Sequence, residues 1–180
     1  MEVIQTPIEG LLVVKPKVFE DGRGYFYESW NKSSFFSKGI TTDFVQDNQS
    51  LSQKNVLRGL HFQNKPHAQA KLVRAIIGAV LDVAVDIRRN SPTYGQHFAI
   101  ELSETNKLML FIPEGFAHGF LTLQDHTIFS YKCSHGYNKA SEDSLLWNDP
   151  DLAINWNTAN PVLSEKDMQA KAFNTYTSLF

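Results

Sequence analysis

The strongest constraint on the fold is a regular series of short strand-like segments separated by turn residues. Between residues 11 and 133 these segments recur about every 8–12 residues, with Gly, Asn, Pro or Asp between them. Such a series is typical of an all-β sandwich or barrel. Strands are predicted at 11–16, 24–30, 43–50, 55–62, 71–77, 79–87, 96–103, 107–112, 117–123 and 127–133.

The segment 80–87 shows the two-residue period of a strand most clearly. Leu81, Val83, Val85 and Ile87 share one face, and Asp82 and Asp86 share the other. Helical signals are weak: Asn31 is predicted to cap a short helix at about 32–38, and Ser164 a second short helix. The sequence therefore predicts an all-β fold with a few short helices.

The chain of 180 residues is long enough for one domain with a full core. Residues 134–166 carry little strand pattern, yet they contain Trp147 and Trp156, whose large rings favour burial. An exposed loop is the alternative. We expect one domain spanning 1–180, with a β core at about 11–133 and a C-terminal extension at 134–180.

Composition excludes several function classes. The formal net charge is -2, so there is no basic excess for non-specific nucleic-acid binding, and any bound anion must be held by a few placed cations. The single cysteine, Cys133, cannot form an intrachain disulfide, which fits a reducing compartment. The N-terminal segment does not resemble a signal peptide, and no apolar segment approaches the roughly 18 residues of a membrane helix. We expect a soluble cytoplasmic protein that binds neither nucleic acid nor membrane.

The segment NVLRGLHFQ places a cation and a titratable base on one predicted strand. His61 is suited to proton transfer near neutral pH, and Arg58 offers a planar fork of donors to a diphosphate. A polar histidine satisfied inside a barrel and a surface arginine are the structural alternatives. Positions 58 and 61 have opposite parity on a regular strand, so we expect a bulge at Gly59 if both side chains reach one cavity.

Lys71 begins the next predicted strand. An antiparallel pairing of 71–77 with 55–62 would place Lys71 near His61, where an ammonium can hold a developing oxyanion. An ordinary exposed lysine is the alternative, but the apolar residues that follow indicate a strand inside the sheet.

Further candidates lie on the last two predicted strands. His118 stands between a Pro-Glu-Gly turn and a glycine, and Phe129, Tyr131 and Cys133 share one strand face. If that face is interior, Tyr131 presents a hydroxyl that can donate a proton to a carbon held close to it. A structural tyrosine bonded to the backbone is the alternative, and Cys133 is interpreted as a packing residue.

Metal and common nucleotide-binding motifs are missing from the sequence. None of the six histidines forms the H-x-H pair that begins the metal site of many barrels, and there is no G-x-G-x-x-G or G-x-x-x-x-G-K-[ST] motif. We therefore predict that no metal is bound.

Seven segments in order resemble one known family, the dTDP-4-dehydrorhamnose 3,5-epimerases, and they cover nearly the whole chain. They are VFEDGRGYFYE (18–28), QDNQSLSQKNVLRGLHFQ (46–63), QAKLVRAIIGAVLDVAVDIRRNSPTYG (69–95), IPEGFAHGF (112–120), YKCSHGY (131–137), WNDPDLAI (147–154) and LSEKD (163–167).

The resemblance implies a cupin-like jelly roll, a homodimer with shared active sites and no cofactor. It implies that His61 is the base, that Tyr131 is the opposing acid and that Lys71 sits at the 4-keto oxygen. Asp167 is the implied carboxylate partner of His61, with Asp82 as a competitor that remains open at this point.

The resemblance also implies a set of substrate-binding residues. Arg23 and Glu28 would reach across the dimer, and Tyr137 would stack on thymine. The other implied contacts are Gln46, Asp47, Asn48, Arg58, His118, Glu142 and Lys166. Two small departures from the family pattern are Ala70, where glycine is expected, and Gln49, where histidine or a similar residue is expected.

The predicted reaction is epimerisation of dTDP-4-keto-6-deoxy-D-glucose at C3 and C5, giving dTDP-4-dehydro-L-rhamnose through enolates. The nearest alternative inverts only C3 or only C5 of a related dTDP-4-keto-deoxysugar. A 3,4-ketoisomerase and a sugar-nucleotide-binding module without catalysis are further alternatives, and the missing H-x-H disfavours a metal-dependent oxygenase.

Overall fold

The computed structural model describes all 180 residues, and β-strands dominate it. The helical elements are α1 (Lys32–Phe36), α2 (Glu165–Met168) and a 3₁₀ turn at Phe173–Thr175. The strands are β1 (Glu2–Gln5), β2 (Leu12–Lys15), β3 (Phe19–Asp21), β4 (Gly24–Phe26), β5 (Gln46–Ser52), β6 (Leu57–Gln63), β7 (Lys71–Ile77), β8 (Ala79–Asp86), β9 (His97–Ser103), β10 (Met109–Ile112), β11 (Phe116–Thr122), β12 (Thr127–Cys133) and β13 (Glu142–Ser144).

Two antiparallel sheets face each other, and a separate hairpin joins β3 to β4. The six-stranded sheet has the order β1-β2-β10-β7-β12-β5, and the five-stranded sheet has the order β13-β6-β11-β8-β9. The central strands pair in a nested series in which β5 pairs with β12, β6 with β11, β7 with β10 and β8 with β9. This nesting over two sheets is the connectivity of a jelly roll. The predicted all-β, cupin-like jelly roll is confirmed.

Each predicted strand has an observed counterpart, and the predictions at 71–77 and 127–133 match β7 and β12 at both ends. The predicted strand at 24–30 is too long, because β4 ends at Phe26. The prediction missed β1, β3 and β13, which are only three or four residues long and too short to show a two-residue period. Neither α-helix has the length and apolar character of a segment that crosses a membrane.

Both predicted helices are present, and their caps form as expected. The Asn31 side chain accepts a hydrogen bond from the backbone N–H of Ser34, and the Ser164 side chain accepts one from the backbone N–H of Asp167. These bonds satisfy N–H groups that a first helical turn otherwise leaves unpaired. The cap at Ser164 holds α2 beside β6, where Asp167 enters the interior.

The two sheets enclose an apolar core to which Val73, Val80, Leu110, Phe120 and Phe129 contribute. Because successive strand residues point to opposite faces, Asp82 and Asp86 share the face of β8 that carries Val80 and therefore point into this interior. Both carboxylates are fully buried. The face predicted to be polar is thus an inner face, which requires each carboxylate to find partners inside the protein.

The C-terminal extension covers the outer face of the five-stranded sheet. Val83 and Val85 of β8 pack in one cluster with Leu145, Leu152 and Trp156. Trp156 is only 2% exposed, and its indole N–H donates a 2.7 Å hydrogen bond to the carbonyl of Trp147. The extension is therefore packed against the sheet, and it carries α2, which lies beside β6.

The outer face of the six-stranded sheet is covered by the segment around α1. Leu12, Leu72 and Phe111 from three adjacent strands pack against Phe35 and Ile40. The central strands of both sheets are therefore largely buried on both faces. The ionisable side chains of the interior line a cavity between them.

Candidate active site

A cavity of about 240 Å³ lies between the two sheets. The five-stranded sheet contributes side chains from β6 and β11 to one wall, and the six-stranded sheet contributes side chains from β7 and β12 to the opposite wall. The lining residues are Arg58, His61, Lys71, His118, Phe120, Tyr131, Ser164 and Asp167. Six of these eight can ionise, which is unusual for the interior of a small β-sandwich.

A bulge in β6 brings Arg58 and His61 to the same wall. His118 lies opposite His61, and Phe120 lies opposite Arg58. From the first pair to the second, β6 therefore advances by three residues and β11 by two. Gly59 supplies the extra residue with φ of +147°, and a Cβ at this position would lie 2.5 Å from the Cα of Gly119. Only glycine fits this close approach. The bulge predicted from the parity of positions 58 and 61 is confirmed.

His61 forms a short hydrogen bond with Asp167, because α2 places this carboxylate against β6. The His61 Nε2 and Asp167 Oδ1 atoms are 2.5 Å apart, and Ser164 Oγ donates to Asp167 Oδ2 at 2.7 Å. Burial by itself would raise the pKa of Asp167, but the hydrogen bonds from His61 and Ser164 outweigh it and hold the pKa below its ordinary value. The His61 side chain remains 32% exposed, so its ring can meet a ligand.

His118 forms a second histidine–carboxylate pair deeper in the sandwich. Its Nε2 lies 2.9 Å from Asp82 Oδ2, and both side chains are buried. Burial lowers the pKa of His118, and the nearby Asp82 carboxylate only partly opposes this shift. Of the two carboxylates that the sequence left open as partners of His61, the structure brings Asp167 to His61 and pairs Asp82 with His118.

Lys71 reaches the cavity from the opposite sheet. The predicted pairing of its strand with 55–62 is wrong, because β7 pairs with β10 and β12 whereas β6 pairs with β11 and β13. The connection at 64–70 crosses from one sheet to the other instead of forming a hairpin. The Lys71 Nζ atom nevertheless lies 3.5 Å from the carbonyl oxygen of His61, across the interior. Burial lowers the pKa of Lys71, and the neighbouring Cys133, Asp82 and Glu142 side chains oppose this shift.

Tyr131 and Cys133 lie on the inner face of β12. Tyr131 packs beside Phe129, and its ring centroid is 6.0 Å from the Lys71 Nζ atom. Burial is the main cause that raises the pKa of the Tyr131 phenol, so the hydroxyl keeps its proton near neutral pH. Burial likewise raises the pKa of the Cys133 thiol, which accepts a weak hydrogen bond from the Asn48 amide at 3.6 Å.

Arg58 lies toward the open end of the cavity. Its Nε and Nη2 atoms are each 3.3 Å from Ser52 Oγ, and the residue is otherwise exposed. The guanidinium is therefore oriented by a single neutral acceptor and carries no carboxylate partner. A planar, unpaired cation at the mouth of a polar cavity is suited to a phosphate group.

Five of the predicted substrate-binding residues are linked at the rim. The backbone N–H of Tyr137 donates to Gln46 Oε1 at 2.8 Å, and the Tyr137 hydroxyl donates to Glu142 Oε2 at 3.1 Å. Lys166 pairs with Glu142 Oε1 at 2.5 Å. Burial of Glu142 would raise its pKa, but its bonds to Lys166 and Tyr137 hold the pKa below the ordinary value. The Gln46 amide also donates to Asn48 Oδ1 at 3.0 Å, which completes the chain.

Three predicted binding residues lie away from the cavity. Asp47 points to the outer face of β5, where it pairs with Lys132 at 2.9 Å, because its parity is opposite to that of Gln46 and Asn48. Arg23 is 91% exposed on the β3–β4 hairpin and pairs with Asp21 at 2.6 Å. Glu28, which follows the hairpin, accepts a hydrogen bond from Asn31 at 2.8 Å. Within one copy of the chain, neither Arg23 nor Glu28 lines the cavity.

Sequence reasoning missed three residues of the site. Ser52 orients Arg58, Phe120 lines the cavity two residues after His118, and Ser164 donates to Asp167 as well as capping α2. The parity of β11 would have given Phe120, since it shares the face of His118. No local signal gives Ser52 or the second role of Ser164, because both depend on contacts between distant segments.

Groups of three or more His, Cys, Asp or Glu side chains that could hold a metal ion do not occur in the structure. The prediction that the protein needs no metal or other cofactor stays a prediction.

Comparison with known proteins gives consistent results along the whole chain. A sequence model of the dTDP-4-dehydrorhamnose 3,5-epimerase family matches residues 5–175. The chain is similar to the dTDP-4-dehydrorhamnose 3,5-epimerase of Shigella flexneri, with 51% identity over 174 residues that cover 96% of each protein. It is also similar to the enzyme of the same name from Salmonella typhimurium, with 53% identity over 172 residues that cover 94% of each.

A solved structure from Legionella pneumophila superposes on the chain with a TM-score of 0.94 and 48% identity, covering 98% of this chain and 94% of that one. It is described as a dTDP-6-deoxy-D-glucose-3,5-epimerase in complex with dTDP-4-keto-L-rhamnose.

Proposed function

This chain belongs to the dTDP-4-dehydrorhamnose 3,5-epimerase family and has that family's activity, and we propose that His61, Tyr131, Lys71 and Asp167 carry it out. The substrate is dTDP-4-keto-6-deoxy-D-glucose, and the product is dTDP-4-dehydro-L-rhamnose. The proposal assigns a base, an acid, an oxyanion-holding cation and an orienting carboxylate. It requires neither a metal nor a redox cofactor.

The chemistry follows from the ketone at C4 of the sugar. Loss of a proton from C3 or C5 leaves an enolate whose negative charge rests largely on the C4 oxygen. Inversion then requires that a base remove the proton from one face of the ring and that an acid return a proton to the other face. A cation near the C4 oxygen stabilises the enolate while both transfers take place.

One observation carries the assignment: His61 and Tyr131 face the cavity from opposite sheets, with Lys71 between them. The Lys71 Nζ atom is 3.5 Å from the carbonyl oxygen of His61 and 6.0 Å from the Tyr131 ring centroid. A planar enolate held in this gap would present one face to the imidazole and the other to the phenol. Its C4 oxygen could then meet the ammonium.

Asp167 acts on His61 and not on the substrate. Its hydrogen bond to Nε2 fixes the ring and favours the tautomer in which Nδ1 is free to accept a proton. After proton transfer the carboxylate stabilises the imidazolium, as the acid of a catalytic triad does. The pair therefore supports His61 as a base that returns to its starting state after each turnover.

The rest of the substrate is bound toward the rim. Arg58 and His118 are proposed to contact the diphosphate and sugar, and Tyr137 to stack on thymine. Gln46, Asn48, Glu142 and Lys166 are proposed to complete the nucleotide site, and any contact from Asp47 would involve its backbone. The hydrogen-bonded chain at the rim supports this assignment, because it joins Gln46, Asn48, Glu142 and Lys166 to Tyr137.

We also propose a cytoplasmic homodimer in which Arg23 and Glu28 complete the partner's site. The β3–β4 hairpin pairs with no other strand and exposes Phe19, Tyr25 and Phe26. Exposed aromatic side chains beside charged groups are typical of a protein interface. Mixing Arg23→Ala and His61→Ala proteins tests the shared site, because random exchange would restore about a quarter of the sites. Failure to regain activity after subunit exchange would argue against sharing.

The direct test of the function is a proton NMR time course with dTDP-4-keto-6-deoxyglucose in heavy water, without added metal. We expect both the C3 and C5 proton signals to disappear as the L-lyxo product forms. Loss of only one signal would instead mean an epimerase of one centre. Unchanged signals would contradict the epimerase function and favour ketoisomerisation or binding without catalysis.

A further inference from the structure

The acidic side chains around Lys71 differ in how completely their oxygens are paired. Asp167 accepts a hydrogen bond from His61 with one oxygen and from Ser164 with the other, and Glu142 contacts Lys166 and Tyr137. Each of these two carboxylates is therefore satisfied at both oxygens. The third carboxylate of the site is not.

Asp82 is fully buried, and only one of its oxygens has a partner. Its Oδ2 atom pairs with His118 Nε2 at 2.9 Å, whereas Oδ1 has no hydrogen-bond partner. Asp82 lies between Ile100 on β9 and Phe120 on β11, in the apolar interior. An unpaired carboxylate oxygen in such a place is unfavourable for folding, so it requires a reason.

The reaction supplies that reason. Lys71 has to carry a positive charge when the enolate forms, yet its ammonium is buried, and burial favours the neutral amine. The ionisable groups around it come from every neighbouring element. They are Tyr131 and Cys133 on β12, Arg58 and His61 on β6, His118 on β11, Asp82 on β8, Glu142 on β13 and Asp167 on α2.

Within this set Arg58 is a cation, and burial raises the pKa of the Cys133 thiol and of the Tyr131 phenol, so both keep their protons near neutral pH. The Glu142 and Asp167 carboxylates are each engaged at both oxygens.

We infer that Asp82 is a positioning residue for the epimerisation: Oδ2 fixes the ring of His118, and the uncommitted Oδ1 supplies the negative charge that keeps Lys71 an ammonium. This role rests on the proposed function, because it assigns a task within that reaction. Asp82 touches neither the substrate nor the reacting carbons and acts through Lys71 and His118.

The charge of Asp82 acts on both neighbours in the same direction. Its presence raises the pKa of Lys71 and of His118 against the larger effect of burial. Removing the charge by Asp82→Asn should therefore lower the pH at which Lys71 loses its proton. Activity that depends on the ammonium is present below this pH and lost above it, so the alkaline limb of the rate profile should move to lower pH.

The control is Asp86→Asn on the same strand and the same inner face. Asp86 is also fully buried, but Arg88, Ser91 and Thr93 satisfy both of its oxygens away from the cavity. We expect this variant to unfold at a lower temperature and to keep the wild-type pH profile. The comparison of the two variants distinguishes the general effect of losing a buried carboxylate from the specific effect of losing a negative charge beside Lys71.

The experiment combines a measurement on the lysine itself with the rate. Protein labelled with ¹³C at the lysine ε-carbon reports the titration of Lys71, which is assigned by the signal missing from Lys71→Met. In Asp82→Asn we expect the Lys71 titration and the alkaline limb of kcat/KM to move down together by about one pH unit, the usual effect of one nearby charge.

Three outcomes would overturn the inference. An unchanged Lys71 titration in a folded Asp82→Asn protein would show that Asp82 does not hold the ammonium. A shifted titration with an unchanged rate profile would show that the charge does not serve the reaction. If the variant does not fold, ¹⁵N NMR of His118 in the wild-type protein provides the test. A proton on Nδ1 instead of Nε2 would contradict the hydrogen bond from His118 to Asp82. A wild-type protein without epimerase activity would refute the proposed function itself, whatever the titrations show.

Discussion

Two histidine–carboxylate pairs stand side by side in this sandwich, and they differ in where each carboxylate comes from. His61 and His118 are direct cross-strand partners on β6 and β11. Asp167 reaches His61 from a helix of the C-terminal extension, whereas Asp82 reaches His118 from the adjacent strand β8. The first pair is at the open end of the cavity and the second is sealed in its floor.

The difference shows how one chemical unit can serve two tasks. His61 is partly exposed, and its Asp167 partner is hydrogen-bonded at both oxygens, which suits the role of base that we propose for it. His118 is buried, and burial lowers its pKa, so it stays neutral near pH 7 and offers a fixed polar contact. We therefore expect the two pairs to respond differently when the same atom is removed from each.

The largest contrast should come from deleting the two rings separately. His61→Ala should slow deuterium wash-in from heavy water at both C3 and C5 by a factor on the order of 10²–10⁴, because the variant lacks the proposed base. His118→Ala should mainly raise KM while exchange continues. Proton NMR of the sugar signals measures both. Exchange that persists in His61→Ala and disappears in His118→Ala would reverse the assignment.

The fold could be predicted from the sequence, but the pairing of each histidine with its carboxylate could not. The strands of the jelly roll follow from a two-residue period and turn residues, which are local signals. The bulge at Gly59 also follows, because the parity of positions 58 and 61 requires it. Which carboxylate meets which histidine depends on how α2 and β8 pack against β6 and β11, and these segments are far apart in the chain. The same limitation explains the wrong pairing for Lys71, since a short connection does not say whether it closes a hairpin or crosses between sheets.

A smaller effect is expected when the carboxylate of the His61–Asp167 pair is replaced. Asp167→Asn keeps the volume but can turn its amide N–H toward His61, which would favour the wrong tautomer. We expect kcat to fall on the order of tenfold or more and the alkaline limb of the profile to stay in place, in contrast to Asp82→Asn. Steady-state rates between pH 6 and 10 test this. Equal shifts of that limb in both variants would mean that the two carboxylates are not distinct in role.

Tyr131→Phe asks whether the acid opposite His61 is a separate group. Removing the hydroxyl should slow inversion more than exchange, because His61 can still take a proton and return deuterium to the same face. The ratio of exchanged to inverted sugar should therefore rise above that of the wild type. Exchange and inversion that fall in parallel would remove Tyr131 from the role of a dedicated acid, and a folded protein with unchanged thermal unfolding is the required control.

The smallest effect concerns the serine that only the first pair possesses. Ser164→Ala removes the α2 cap and the hydrogen bond to Asp167 Oδ2, so the free energy of unfolding should fall by about 1 kcal/mol near pH 7. The folded-state pKa of Asp167 lies below its ordinary value, so this carboxylate stabilises the fold above about pH 4 and loses that contribution as the pH falls through the folded pKa. Without Ser164 the folded pKa should rise toward the ordinary value, and the difference between variant and wild type should shrink in acid. Denaturant unfolding at pH 7 and at pH 3 measures both quantities. A difference that grows in acid would mean that the serine does not act through Asp167, and the asymmetry between the two pairs would then have to arise from burial alone.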